Sequence, residues 1–129
     1  MESIDKKSKF SIKRLVSAIF NSISGLILAY KSEQSMVLLA VGSLIVIILG
    51  IVLQISRLEW IIIIFLICLT TTVELINTAI ENVVDLATQK IHPLAKAAKD
   101  TASAAEFLIL FMSVIISLLV FVPRIINLF

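Results

Sequence analysis

The sequence predicts an all-α integral membrane protein: an N-terminal amphipathic surface helix followed by three transmembrane helices. Three observations carry that prediction. Hydrophobic residues fill 60% of the 129 positions and mean hydropathy is +1.12, whereas soluble domains hold about 45–50% apolar residues. Three apolar runs of spanning or near-spanning length follow one another. Ahead of them lies a stretch whose apolar residues gather on one side at helical spacing. The chain forms a single membrane domain. With 16% charged residues, three Gly and two Pro, composition excludes disorder, collagen and a disulfide scaffold. The single Cys68 forms no intramolecular disulfide and offers no metal-site spacing. A net charge of +2 gives no case for nucleic acid.

Residues 1–9, MESIDKKSK, form a polar tail expected to be disordered. No small-residue cleavage site follows a short apolar core, so no secretory signal is expected there. From 10 to 31 the pattern is helical. Ile12, Leu15, Val16, Ile19, Ile23, Leu26, Ile27 and Tyr30 share one side, with Lys13, Arg14, Ser17, Asn21 and Ser24 opposite. Such a helix with a basic polar face lies in the membrane interface. Packing against other protein elements is the alternative.

The first transmembrane helix is expected at 35–56, where Met36 to Ser56 carries no charged side chain. The second is expected at 59–89. Its apolar run, Trp60 to Val73, is about 14 residues, or roughly 21 Å of the ~30 Å hydrocarbon core. The helix must therefore continue through about Ala79, which places Glu74 inside the apolar slab. The third is expected at 101–123, with its apolar run closed by Pro123. Lys and Arg set the orientation. Lys6, Lys7, Lys9, Lys13, Arg14 and Lys31 precede the first span, and Lys90, Lys96 and Lys99 follow the second. The other loop and the tail hold only Arg57 and Arg124. The N-terminus and the 90–100 loop are therefore expected in the cytoplasm and the C-terminus outside.

A carboxylate at the centre of a membrane helix costs at least about 2.5–3.5 kcal/mol, so it marks function by default. Glu74 has company. At about 100° per residue, Thr70, Asn77, Thr78, Glu81, Asp85 and Thr88 fall within roughly 60° of it. Hydroxyl and amide stripes commonly pair helices. Three acids on one stripe repel unless a cation joins them. Glu33 precedes the first span, Lys99 and Asp100 precede the third, and Arg14 lies on the surface helix, so all stand near the cytoplasmic boundary. Carboxylates such as Glu33 and Glu81 suit Mg²⁺, which shares oxygen ligands with phosphates. Lys99 and Arg14 suit phosphate oxygens, and Glu74 in a low-dielectric site suits proton removal from a hydroxyl. Together they predict phosphoryl transfer from a soluble nucleotide to an alcohol presented by the bilayer. No GxxxxGK[ST] loop and no protein-kinase signature occur. The rival is a small oligomeric transporter using Glu74 as an ion relay. Against it, the acids continue past the membrane edge together with Lys99 and Asp100.

These residues also carry a resemblance. ELINTAIENVVD, from Glu74 to Asp85, resembles the ExxNTAIExxVD signature of the small prokaryotic diacylglycerol kinase family. HPLAKAAKD, from His92 to Asp100, with the TASAA that follows, is similar to that family's second motif. The likeness covers nearly the whole chain. HPLAKAAKD together with LEW before the second span looks most like the undecaprenol kinase branch typical of Gram-positive bacteria.

The resemblance implies a homotrimer with composite, domain-swapped sites in a bacterial cell membrane, using ATP and Mg²⁺. It implies transfer of the γ-phosphate to a lipid alcohol, with undecaprenol ahead of diacylglycerol. Glu74 would be the catalytic base with Asn77 beside it, and Glu33 and Glu81 the metal ligands. Lys99 and Asp100 would contact the nucleotide. Arg14 matches an arginine near ATP and lipid, and His92 falls in the loop bordering the nucleotide, where a solvated loop histidine is the alternative. Ser103 matches a small position on the lipid side. The chain departs from the family's pattern in three places. Asn21 stands where some members have a Tyr near the nucleotide. QSMVLL after Glu33 lacks the Arg and His common in undecaprenol kinases. Glu106 occupies a usually apolar position, where it would snorkel to the boundary or pair with Lys99.

Overall fold

The computed structural model describes residues 10–129, and the tail expected to be disordered at 1–9 lies outside the described residues. Four helices follow in order, α1 (Ile12–Ser32), α2 (Gln34–Val52), α3 (Arg57–Ala87) and α4 (Pro93–Ile126), with no strand among the described residues. All four are long and apolar enough to cross a membrane, α1 included. Leu, Ile, Val and Phe side chains of every helix face outward, as expected where the surroundings are as apolar as the interior.

Local sequence explains where each helix stops. Glu33 ends α1 and begins α2 through one extended residue (φ −114°, ψ 120°), its N–H still donating to the Ala29 carbonyl. α2 ends in a Schellman-type turn: Gln54 takes the left-handed conformation (φ 50°) and the Ile55 N–H donates to the Gly50 carbonyl. α3 opens with a capping box, in which Ser56 Oγ accepts from the Glu59 N–H and Glu59 Oε2 accepts from the Ser56 N–H.

α4 begins at Pro93, well before the span expected at 101–123. The 90–100 segment expected as a loop is therefore mostly helix. His92 caps it, Nδ1 accepting the Leu94 N–H at 3.1 Å, and Pro93 takes the first helical position, where its missing N–H costs nothing. At the far end α4 runs through Pro123 to Ile126 rather than closing there. The proline forfeits its own N–H bond and crowds the carbonyl one turn back, yet the chain carries on and the Asn127 N–H reaches the Pro123 carbonyl at 3.1 Å.

α3 and α4 form the principal antiparallel pair, with α2 beside them, while α1 touches only α2 and α3 and buries only Ala29. The apolar core sits at the α2–α3 turn, where Ile55, Ile63, Val120 and Phe121 pack with Leu49, Trp60 and their neighbours. Arg124 closes that end. Its guanidinium pairs with Glu59 and donates through Nη1 to the Gln54 carbonyl at 3.1 Å, tying the strained turn to α4.

Gly50 allows this closure, since a Cβ there would stand 2.8 Å from Trp60 Cη2 and 3.1 Å from Ile55 Cδ1. Gly50→Ala gains about 1 kcal/mol of helix propensity but forces an indole ring aside, an overpacking cost of about 1–3 kcal/mol. A net loss of stability is expected, seen as a lower melting temperature in detergent. An unchanged or raised melting temperature would show that the ring yields freely.

Candidate active site

The buried residues of α3 are Ile63, Leu66, Thr70, Glu74, Asn77 and Thr78. They fall on one helical face, so the polar stripe of the sequence is also the face α3 presents to the bundle. Burial declines along it. Glu74 is 2% exposed and Asn77 7%, Glu81 is half-buried and Asp85 exposed. By helical rise Glu81 lies roughly 10 Å beyond Glu74, so the stripe descends from the bundle interior to its surface.

At its deep end, four side chains from three helices meet. The Ser35 hydroxyl, in the first turn of α2, donates to Glu74 Oε1. Asn77 Nδ2 donates to Oε2 of Glu106 on α4 at 3.1 Å. Glu106 thus reaches the same polar cluster from α4. Two buried atoms, Glu74 Oε2 and Asn77 Oδ1, have no partner. Both are acceptors, and leaving a buried polar atom unpaired costs about 1–3 kcal/mol, so the arrangement calls for a donor or cation from outside it. The Thr70 hydroxyl does not supply one, because it donates back to the Leu66 and Ile67 carbonyls at 2.9 and 3.0 Å.

A second group lies where α3 leaves the bundle and α4 begins. Lys99 Nζ pairs with Asp85 Oδ1 at 2.5 Å, and Lys96 pairs with Asp100. These residues and His92 line a hollow of about 320 Å³. The Asp85 carboxylate beside Lys99 holds its ammonium above the usual lysine range, against a smaller opposing effect of desolvation. Glu81 is near enough to act on both Lys99 and Glu106, so it links the two groups.

The expected site residues thus divide. Glu74 and Asn77 are brought together, with Glu81 between them and Lys99. Asp100 engages Lys96 rather than Lys99, and His92 engages its own helix start. Glu33 is half-buried at the α1–α2 break, two residues before Ser35. Arg14, Asn21 and Ser103 lie on exposed helix surfaces. The pairing expected between Glu106 and Lys99 does not form: Glu106 faces Asn77, and Asp85 is nearer to Lys99. Ser35 was not singled out from sequence. Glu106 carried a usable signal, since Lys99, Ser103 and Glu106 share one face of α4 at helical spacing.

The profile of prokaryotic diacylglycerol kinase matches residues 20–121. This chain belongs to the prokaryotic diacylglycerol kinase family. It is similar to an undecaprenol kinase of Bacillus subtilis, 38% identical over 96% of this chain and 99% of that protein. It is also similar to a diacylglycerol kinase of Helicobacter pylori, 42% identical over 74% of this chain and 75% of that one. A diacylglycerol kinase of Pseudomonas aeruginosa is 36% identical over 81% and 85%. The chain is a lipid kinase of the membrane. For a lipid kinase the polar stripe is apt, because it joins a carboxylate buried within the helix bundle to a lysine-lined hollow at its surface. In the opposite half of the bundle the charged pair Glu59–Arg124 is closed on itself, and no relay of acids continues there among the described residues.

The Asp85–Lys99 pair is testable by titration. Its contribution is fully present below the unfolded lysine pKa and is lost as pH rises through the raised folded value. Asp85→Asn is expected to lower the Lys99 pKa, so that pH-dependent amine labelling of Lys99 begins at lower pH. Identical labelling profiles would show that the pair does not hold the ammonium.

Proposed function

We propose that this lipid kinase transfers the γ-phosphate of ATP to undecaprenol, with Glu74 as the base. The observation that carries the proposal is the unpartnered Oε2 of a carboxylate 2% exposed. Ser35 engages Oε1 and leaves the other oxygen able to accept a hydroxyl proton. As the lipid oxygen bonds to the γ-phosphorus, the bond to the β,γ-bridging oxygen breaks, ADP departs and the proton passes to Glu74. Asn77, one turn on, would border the reacting hydroxyl.

Lys99 and the hollow it shares with Lys96 and His92 suit a polyphosphate, and Lys99 would turn from Asp85 to the phosphates. Asp100 would border the same nucleotide. Glu33 and Glu81 would hold Mg²⁺. Both are half-buried carboxylates, the oxygen ligands suited to an ion which takes one or two carboxylates and completes its shell with water and phosphate. When bound, the ion neutralises phosphate charge.

Arg14, Asn21 and Ser103 remain on exposed surfaces of one chain, which supports a site completed by neighbouring subunits of a homotrimer. The basic face of α1 supports its placement in the membrane interface, with α2, α3 and α4 crossing. The distribution of Lys and Arg supports a cytoplasmic N-terminus and an external C-terminus. Undecaprenol leads because the Bacillus subtilis relative matches over nearly the full length of both chains. Diacylglycerol is the second reading, favoured by the relatives that match over smaller shares.

Purified protein given labelled ATP, Mg²⁺ and undecaprenol is expected to move label into the organic phase. Glu74→Gln should lower turnover by about 10²–10⁴-fold, the usual contribution of a general base, with assembly unchanged. Retained turnover would remove Glu74 from the reaction. Glu81→Ala should raise the Mg²⁺ concentration needed for half-maximal rate or abolish activity. An unchanged requirement would remove it from the metal site.

A further inference from the structure

A groove of about 600 Å³ runs between α2, α3 and α4. From Ser35 to Leu49 along α2 it extends roughly 21 Å by helical rise. Its walls are almost wholly apolar, and Ser35, Thr70 and Glu106 line its polar end, beside Glu74 and Asn77. The donors and acceptors at that end are unequal. The Ser35 hydroxyl is committed to Glu74, Asn77 Nδ2 to Glu106 and the Thr70 hydroxyl to its own helix. The Asn77 amide is turned with Nδ2 to the Glu106 carboxyl and Oδ1 away from it. What remains are acceptors: Glu74 Oε2 and Asn77 Oδ1. A hydroxyl arriving there finds partners. An ester carbonyl arriving with it finds none, since a carbonyl oxygen only accepts.

We infer that Glu106 is a specificity-determining residue that, by engaging the Asn77 amide, makes the site select alcohols with no carbonyl oxygens near the reacting hydroxyl. A single-chain polyprenol satisfies that rule and a diacylglycerol breaks it twice. The inference rests on the proposed lipid-alcohol acceptor and adds a chemical ground for the choice between the two. The occupant of the groove is the hydrocarbon chain of the alcohol, argued from the continuity of an apolar channel with a donor-poor, acceptor-rich end. Neither the burial of Glu74 nor the phosphate-binding lysines would produce this discrimination. Both act alike on any primary alcohol.

The decisive comparison uses two glycerol lipids of equal chain length in mixed micelles, one with two ether links and one with two ester links. They present the same hydroxyl and differ in their carbonyls. For the parent protein kcat/KM is expected to favour the diether lipid by about tenfold, the scale of leaving one buried polar group unpaired, and a long-chain polyprenol should be accepted at least as well as the diether. Glu106→Val frees Asn77 Nδ2 to serve a carbonyl, and Glu106→Gln brings an amide donor of its own. Both should draw the diether-to-diester ratio to within about twofold, even where overall turnover falls. Two variants guard against one misfolding, which size-exclusion in detergent would reveal.

Equal use of the two lipids by the parent, or an unchanged ratio in both variants, would overturn the role of Glu106. No label in any lipid would overturn the lipid-alcohol reading itself, and that outcome is distinct from equal labelling. Gly42 provides a check on the groove. It lines the wall, and a Cβ there meets nothing within 4 Å, so Gly42→Leu narrows the channel without a clash inside the chain. The KM for polyprenol should rise about tenfold, as expected when a pocket is filled, with the KM for ATP unmoved. An unchanged lipid KM with an altered assembly size would assign the groove to a helix of a second copy and overturn its assignment to the lipid.

Discussion

A carboxylate 2% exposed within an apolar bundle constrains everything around it. An isolated charge in such surroundings is costly, and three helices bring polar side chains around Glu74, of which Ser35 donates to it. Ser35 arrives because α2 restarts at Gln34 after the single extended residue Glu33. Asn77 arrives one turn along α3 itself. Glu106 arrives because α4 packs antiparallel to α3 with its own polar residue at the same depth. Even so, Glu74 Oε2 is left open. In a site for proton transfer, that deficiency is what a substrate would relieve.

The two ends of the bundle divide the tasks of stability and chemistry. At the α2–α3 turn the structure is closed: a capping box, the Schellman-type turn at Gln54 and the Arg124–Glu59 pair satisfy their own polar groups around an apolar core. At the other end the polar groups are incompletely paired or paired on the surface, where ion pairs are worth about 0–1 kcal/mol. Lys99–Asp85 and Lys96–Asp100 are of that kind. Weak pairing would suit lysines proposed to exchange a carboxylate for phosphate, whereas the closed end fixes how the helices pack.

Glu106 shows how an unusual residue is accommodated. Inside an apolar bundle it would be a liability if solitary. Against Asn77 it becomes part of a network that reverses the local balance of donors and acceptors. The same contact that makes Glu106 tolerable therefore changes what the site accepts, and a groove lined by apolar side chains leads directly to it.

Much was legible in the residues alone. The apolar runs required membrane helices, because backbone polar groups in lipid must be satisfied within the segment. The period of α3 put Glu74, Asn77 and Glu81 on one face without any knowledge of neighbours. The family signature from Glu74 to Asp85 lies on a single helix, so local sequence was enough to expose it. What the residues did not disclose lies between helices. Ser35 is unremarked in a serine-containing sequence until α2 brings it against Glu74, and Glu106 looked free to pair with Lys99 until Asp85 proved nearer. The start of α4 at Pro93 depended on a histidine cap that periodicity does not register. Helical spacing acts along one chain segment and is written in order. Which side chains meet across helices depends on their packing and relative depth, and only the tertiary structure decides that.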